Sequence, residues 1–227
     1  YTEQELMDKK QGGKELQLVW AGRFLPLKHP EYMVKLAEAL AQRGYSFRMH
    51  MLGDGELLPE IRKQVQERAL DGYFRFYGFQ KPEEVRDVME KSHIHLFTSN
   101  YLEGWGAVVN EGMNSGCVEV VNAQVGAAPY LIRSGVNGMV YPDDRYDKLE
   151  ETVIDLFDHW EERRQMGWAA YETIRGCWNA EHAAAELLRF ARQLQEGKIV
   201  PAQSGPLSVA PPIRPGEMYR RMMREEI

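Results

Sequence analysis

The order of apolar and polar residues sets out the chain as alternating strands and helices. Leu16 to Ala21 is a short apolar run closed by Gly22, the pattern of a buried strand. Pro30 opens a helical stretch to about Arg43, with Tyr32, Leu36, Ala39 and Leu40 on one face. Phe47 to Leu52 predicts a second strand, followed by Gly53-Asp54-Gly55 and a helix from Pro59 to Ala69. Phe74 to Tyr77 predicts a third strand ended by Gly78, and Pro82 to Lys91 a helix. Ile94 to Thr98, Val118 to Val121 and Gly138 to Tyr141 predict three more strands. Helical patterns then cover 146–159, 161–174 and 180–195. This alternation argues for an α/β fold, a Rossmann-like three-layer parallel sheet with helices on both faces. Ligands in such sheets bind outside the carboxyl ends of the strands, where the glycine loops fall.

The flanks read differently. Residues 1–15 are polar and are expected to be a linker or leader. Residues 16–197 form the expected domain, and 198–227 a proline-rich connector and tail. Met218 to Ile227 suits a short terminal helix. Arg220, Arg221 and Arg224 there fit either a solvated face or a peripheral contact with a membrane or partner.

Composition narrows the function. The 227 residues are 44% apolar and 27% charged, as in globular proteins, with net charge -6. The absence of a long basic run argues against nucleic-acid binding. No run is apolar enough to span a bilayer. Cys117 and Cys177 lie far apart, as expected of unpaired thiols in a reducing, cytoplasmic compartment. His93 and His95 have the spacing of a metal pair, but no third ligand is near in sequence, so no metal is expected. Trp160, Trp168 and Trp178 stand at helical spacing and are expected in the core.

The richest segment is 101–116. Glu103 and Glu111 are separated by seven residues, with Gly104-Trp105-Gly106 after the first acid. A strand, a tight glycine turn and a helix from about Gly106 and Ala107 are predicted here. Backbone N–H groups approach a ligand closely at such a turn, and the helix start favours an anion. A ligand carrying an anion and hydroxyls at both ends, such as a sugar nucleotide, suits two flanking acids. Arg23 and Lys28, in the loop after the first strand, can grip a diphosphate from two sides. Gly53 lies in a turn, and Gly78 and Phe79 end the third strand, where a backbone and a ring can border a planar base. Trp105 can either wall the ligand or pack. The third glycine of a dinucleotide fingerprint is missing, since Val109 stands there.

Seven blocks occur in order: Gly22-Arg23 with Lys28, Leu52 to Gly55, Phe76 to Gly78, Glu103 to Glu111, Met113 with Ser115-Gly116, Val125-Gly126 with Pro129, and Gly135 to Gly138. Over about residues 16–195 they resemble the nucleotide-sugar-binding C-terminal domain of family 4 (group 1) retaining glycosyltransferases of GT-B fold. The resemblance implies hexosyl-type transfer from a nucleotide diphosphate sugar to a glycan or lipid-linked acceptor. It implies that Arg23 and Lys28 hold the diphosphate and Glu103 contacts the donor sugar. Gly22, Gly53, Gly104, Trp105, Gly106 and Ala107 would line the donor, Glu111 would bind ribose, and Gly78 and Phe79 would border the base. No metal or other cofactor is implied. An N-terminal acceptor-binding half would lie outside this sequence, leaving the fragment inactive alone. The alternative is a nucleotide-binding module without chemistry. A phosphorylase on this fold would need a pyridoxal lysine, for which no matching motif is visible.

Three departures stand out. His29 follows Lys28 where the family has glycine, Gly126-Ala127-Ala128-Pro129-Tyr130 replaces a Gly-Gly and Pro-Glu stretch, and Glu119 stands near the start of the fifth strand. In the family that the chain resembles this rim faces the donor sugar, so the departures bear on the sugar's identity.

Overall fold

The alternation of apolar runs and amphipathic stretches becomes six parallel strands with helices on both sides in the computed structural model, which describes residues 1–10, 15–143 and 145–210. The elements are α1 (Glu3–Lys9), β1 (Leu16–Ala21), α2 (Glu31–Gln42), β2 (Phe47–Leu52), α3 (Leu58–Glu67), β3 (Phe74–Gly78), α4 (Pro82–Lys91), β4 (Ile94–Phe97) and α5 (Ala107–Asn114). They continue with β5 (Val118–Asn122), α6 (Ala128–Leu131), β6 (Gly138–Tyr141), α7 (Tyr146–Asp158), α8 (Trp160–Gly176) and α9 (Ala180–Gln195). The strand order is β3-β2-β1-β4-β5-β6, with every neighbouring pair parallel. The order reverses between β1 and β4, so their diverging loops open a crevice at the carboxyl edge.

Every residue of β1, β4 and β5 is buried, as a sheet covered on both faces requires. Side chains alternate between two cores. Leu18, Trp20, Met49, Met51, Leu96 and Val120 face α2, α3 and α7. Val19, Ala21 and Leu52 pack with Met89 of α4, and Phe97 and Val121 pack with α5 and α8. Among the described residues no helix is long and apolar enough to cross a membrane.

Residues 1–15, read from sequence as a linker or leader, contain α1. Thr2 and Glu5 form a capping box at its start. Leu6 is fully buried against Gly116, where a Cβ would overlap its side chain. Lys9 pairs with Glu90 of α4 at 2.8 Å, and Glu3 with Arg164 of α8 at 2.6 Å. Burial opposes the Glu90 charge, but bonds from Lys9, Arg86 and Tyr1 hold its carboxyl below the usual range. A single buried leucine and flanking ion pairs thus dock a segment whose composition is mostly polar.

The tryptophan expectation fails in part. Trp160 is 62% exposed, while Trp168 and Trp178 are only partly buried. Trp160 is the first residue of α8 and lines a surface cavity with Lys10 and Arg163 rather than the core. Trp178 lies beyond α8 and packs, tilted, against Trp105 of the glycine turn. The basic cluster Arg220, Arg221 and Arg224, and the terminal helix expected there, lie outside the described residues.

Candidate functional site

Loops after β1, β2, β3 and β4 meet at the carboxyl edge, and hydrogen bonds fix their stacking. The Gly22 amide donates to Leu52 at 3.0 Å, and the Gly53 amide to Gly78 at 2.8 Å. Gly53 has φ +117°, and a Cβ there would overlap the Gly22 carbonyl. Only glycine satisfies both the left-handed conformation and the close approach.

Lys28 is placed from behind. The Trp20 indole donates to Thr98 Oγ1 at 3.1 Å, and the Thr98 hydroxyl donates to the Lys28 carbonyl at 2.6 Å. The Asn100 amide bonds Leu27 at 2.9 Å. These bonds tie the β1 loop to the β4 loop across the crevice. His29 then adopts the left-handed conformation, φ 48°, which explains why glycine suits this position. Its ring compensates by stacking on Tyr32 at 4.9 Å and bonding Glu31 at 2.9 Å.

Gly106, with φ +82°, turns the chain into α5, and a Cβ there would lie 2.8 Å from the Phe97 ring. The first N–H groups of a helix lack partners further back along it and carry its positive end. Gly106, Ala107 and Val108, at this helix start, line a cavity of about 560 Å³. Arg23, Lys28, Glu103, Gly106, Ala107 and Glu111 all line it, together with Gly22, Gly53 and Phe79. Lys28 and Glu103 form an ion pair whose side chains are 18% and 17% exposed. Lys28 Nζ also lies 5.1 Å from the Phe97 ring centre. Arg23 and Glu111 are exposed and make no side-chain bond among the described residues. Among the described residues the cavity therefore offers one cation without a side-chain bond, Arg23, two carboxylates without an ion pair, Glu111 and Asp54, and the closed Lys28–Glu103 pair; Asp54 accepts the Gly55 amide at 2.7 Å.

Gly78, Gly104 and Trp105 do not line it. Gly78 accepts the Gly53 amide instead. The Gly104 and Trp105 carbonyls accept from Gly126 at 3.1 Å and Ala127 at 2.9 Å. Trp105 stacks on Tyr130 at 5.7 Å, lies 5.7 Å from Trp178 and donates to Asn110 at 2.9 Å. These residues support the glycine turn. The Gly126–Tyr130 stretch does the same from the β5 side.

Glu119 does not reach the rim. It is fully buried at the second position of β5 and bonds His95 at 2.8 Å. Burial raises its carboxyl above the usual range. Gly112 makes room, since a Cβ there would overlap Glu119 Oε1. His93 instead accepts the Gln17 amide at 3.1 Å. Among the described residues no group of three or more His, Cys, Asp or Glu is placed to hold a metal. Burial pushes the Cys117 thiol up to about 11, so it is neutral, and Cys177 is likewise unpaired.

Sequence reasoning missed Asp54, Gln80, Val85 and Val108 in the cavity wall, and the strand-end residues Ala21, Leu52 and Phe97. Strand-end position was the available signal for the last three.

The sequence model described as Glycosyl transferases group 1 matches residues 3–173. Alpha-D-kanosaminyltransferase of Streptomyces kanamyceticus is 28% identical over 78% of this chain and 45% of its own length. D-inositol 3-phosphate glycosyltransferase of Corynebacterium glutamicum is 24% identical over 70% of this chain and 39% of its own. The chain thus spans less than half of either relative. Among solved structures, Anabaena HepE in complex with UDP superposes with a TM-score of 0.67, covering 85% of this chain and 51% of that one at 16% identity. The C-terminal domain of a group 1 glycosyl transferase (LpcC) from Francisella tularensis superposes at 0.65, covering 78% of this chain and 92% of that domain at 20% identity.

Proposed function

Because the chain belongs to the group 1 glycosyl transferases, we propose that it is the donor-binding half of a retaining hexosyltransferase that uses a nucleotide diphosphate sugar. The observation that carries this reading is the convergence of Arg23, Lys28, Glu103, Glu111 and the start of α5 on one cavity at the carboxyl edge. Arg23 and Lys28 hold the diphosphate and stabilise the negative charge that gathers on it as the sugar bond breaks. The transition state is oxocarbenium-like, with positive charge at the sugar. The start of α5 adds its dipole to the anion side. The donor diphosphate draws Lys28 from Glu103, and the freed carboxylate accepts hydroxyls of the sugar. Glu111 binds the ribose hydroxyls, and Phe79, 81% exposed, covers the base. The two cations supply the charge that a divalent ion supplies elsewhere, so transfer needs no metal.

The acceptor site belongs to a second, N-terminal half. The coverage of under half of the relatives supports this, as does the fit to an isolated C-terminal domain. The same coverage favours one other reading of the chain by itself, a nucleotide-binding module without turnover. The test is transfer by the complete protein carrying Lys28→Ala or Glu111→Ala, with and without a chelator. A rate loss of about 100-fold or more is expected for Lys28→Ala, with no effect of the chelator. Wild-type rates in both variants overturn the assignment. Nucleotide binding by a complete protein that transfers nothing selects the module.

A further inference from the structure

A second cavity, of about 230 Å³, lies at the amino ends of β4 and β5, on the edge opposite the donor cleft. Lys10, His93, Trp160, Arg163 and Arg164 line it. Its basic groups come from three separate places: the end of α1, the entrance to β4, and α8.

The charges there are poorly compensated. Lys10 Nζ donates to the Ser92 and Ser115 carbonyls, both at 2.7 Å, and otherwise meets the neutral Cys117 sulfur at 4.0 Å. Glu90 and Glu119, the two acids whose charges act on Lys10, are committed elsewhere, Glu90 to Lys9 and Arg86 and Glu119 to His95. Arg163 donates to the Leu156 and Phe157 carbonyls, and no carboxylate among the described residues pairs with it. Arg164 is engaged by Glu3 and Glu161. A half-buried cation held only by carbonyls gains from an added anion, because carbonyls carry no net charge to offset it.

His93 contributes a donor. The Gln17 amide donates to its Nδ1, so the neutral ring carries its proton on Nε2. Burial, then the Lys10 and Arg163 charges, lower its pKa to about 4, which keeps the ring neutral at pH 7. The indole of Trp160, 62% exposed, gives the cavity a flat apolar wall. That wall suits an organic body attached to the anion.

We propose that this amino-edge cavity is a second binding site, for a phosphate-bearing ligand held by Lys10, His93 and Arg163 with Trp160 against its organic part. A soluble phosphate ester and a lipid headgroup share this chemistry.

The test uses the 227-residue chain and follows the His93 ring proton by NMR, assigned by its loss in His93→Gln. Inorganic phosphate is titrated at constant ionic strength. The His93 signal is expected to shift saturably in the millimolar range, and equally in Lys28→Ala, which excludes the donor cleft as the source. Arg163→Gln is expected to weaken the response about tenfold. If Arg163→Gln melts early, Lys10→Gln on the opposite wall carries the same expectation. Flotation with phosphatidylcholine vesicles, with and without phosphatidylglycerol, separates the sources. Flotation only with phosphatidylglycerol, competed by phosphate, assigns a lipid headgroup. No flotation with an intact titration assigns a soluble ester. A His93 signal that stays fixed to about 50 mM phosphate, or a folded variant that titrates as wild type, overturns the proposal.

Discussion

The two edges of the sheet build their cavities in opposite ways. At the carboxyl edge, Gly22, Gly53 and Gly106 sit in loops that directly follow strands, and the charged residues lie a few positions from them. At the amino edge, Lys10, His93 and Arg163 come from a helix end, a strand entrance and a late helix. Charge differs as well. Lys28 already has a carboxylate partner, Glu103, so an incoming anion must compete for it. Lys10 and Arg163 have carbonyl partners. An edge made of strand-to-helix loops leaves motifs in the sequence, whereas one made of helix ends exists only after folding.

Gly53→Ala is the most severe way to break this contrast. A Cβ would overlap the Gly22 carbonyl, which is backbone and cannot swing away. We expect a loss of about 3 kcal/mol or more and collapse of the donor cleft, read by thermal unfolding and nucleotide binding. The same change at Gly135, where φ is +82° but the space is open, is expected to cost only about 1 kcal/mol.

Leu6→Ala probes the other edge. It removes the one fully buried side chain of α1 and should cost about 2–4 kcal/mol. Nucleotide affinity should not change. A parallel fall in affinity would show that the two edges are coupled.

Acid should weaken the fold through histidines kept neutral in it. Burial, with Arg75 and Arg48 nearby, lowers His50 to about 4, and His93 is lowered equally. The unfolded rings bind protons near 6.5, so their stabilisation is complete above that pH. It is lost as pH falls from 6.5 towards 4. Denaturant titrations across this window should show the slope, and His50→Gln should reduce it.

His29→Gly should have the smallest effect, within about 1 kcal/mol. Relief of the left-handed histidine is offset by loss of its contacts with Tyr32 and Glu31. Calorimetric melting measures it.

Much of the carboxyl edge was legible because its signals are local. Apolar runs ended by glycine located β1, β2 and β3 to within a residue, and Glu103 to Glu111 marked the turn into α5. Trp105 was not legible, since its partners Tyr130 and Trp178 are far along the chain. Glu119 was legible as a departure but not as the buried partner of His95. α1 escaped notice because polar composition hides a helix anchored by one leucine and ion pairs to α4 and α8. The amino-edge cavity escaped for the same reason, as it depends on where α1 docks.

The central claim is that the carboxyl-edge cleft is a nucleotide diphosphate site built on Lys28 and Glu111. Calorimetric titration of the chain with UDP and GDP tests it most directly. We expect one of them to bind, with affinity reduced at least about tenfold in Lys28→Ala and in Glu111→Ala at unchanged melting temperature. No binding of either nucleotide, or wild-type affinity in both variants, would contradict it.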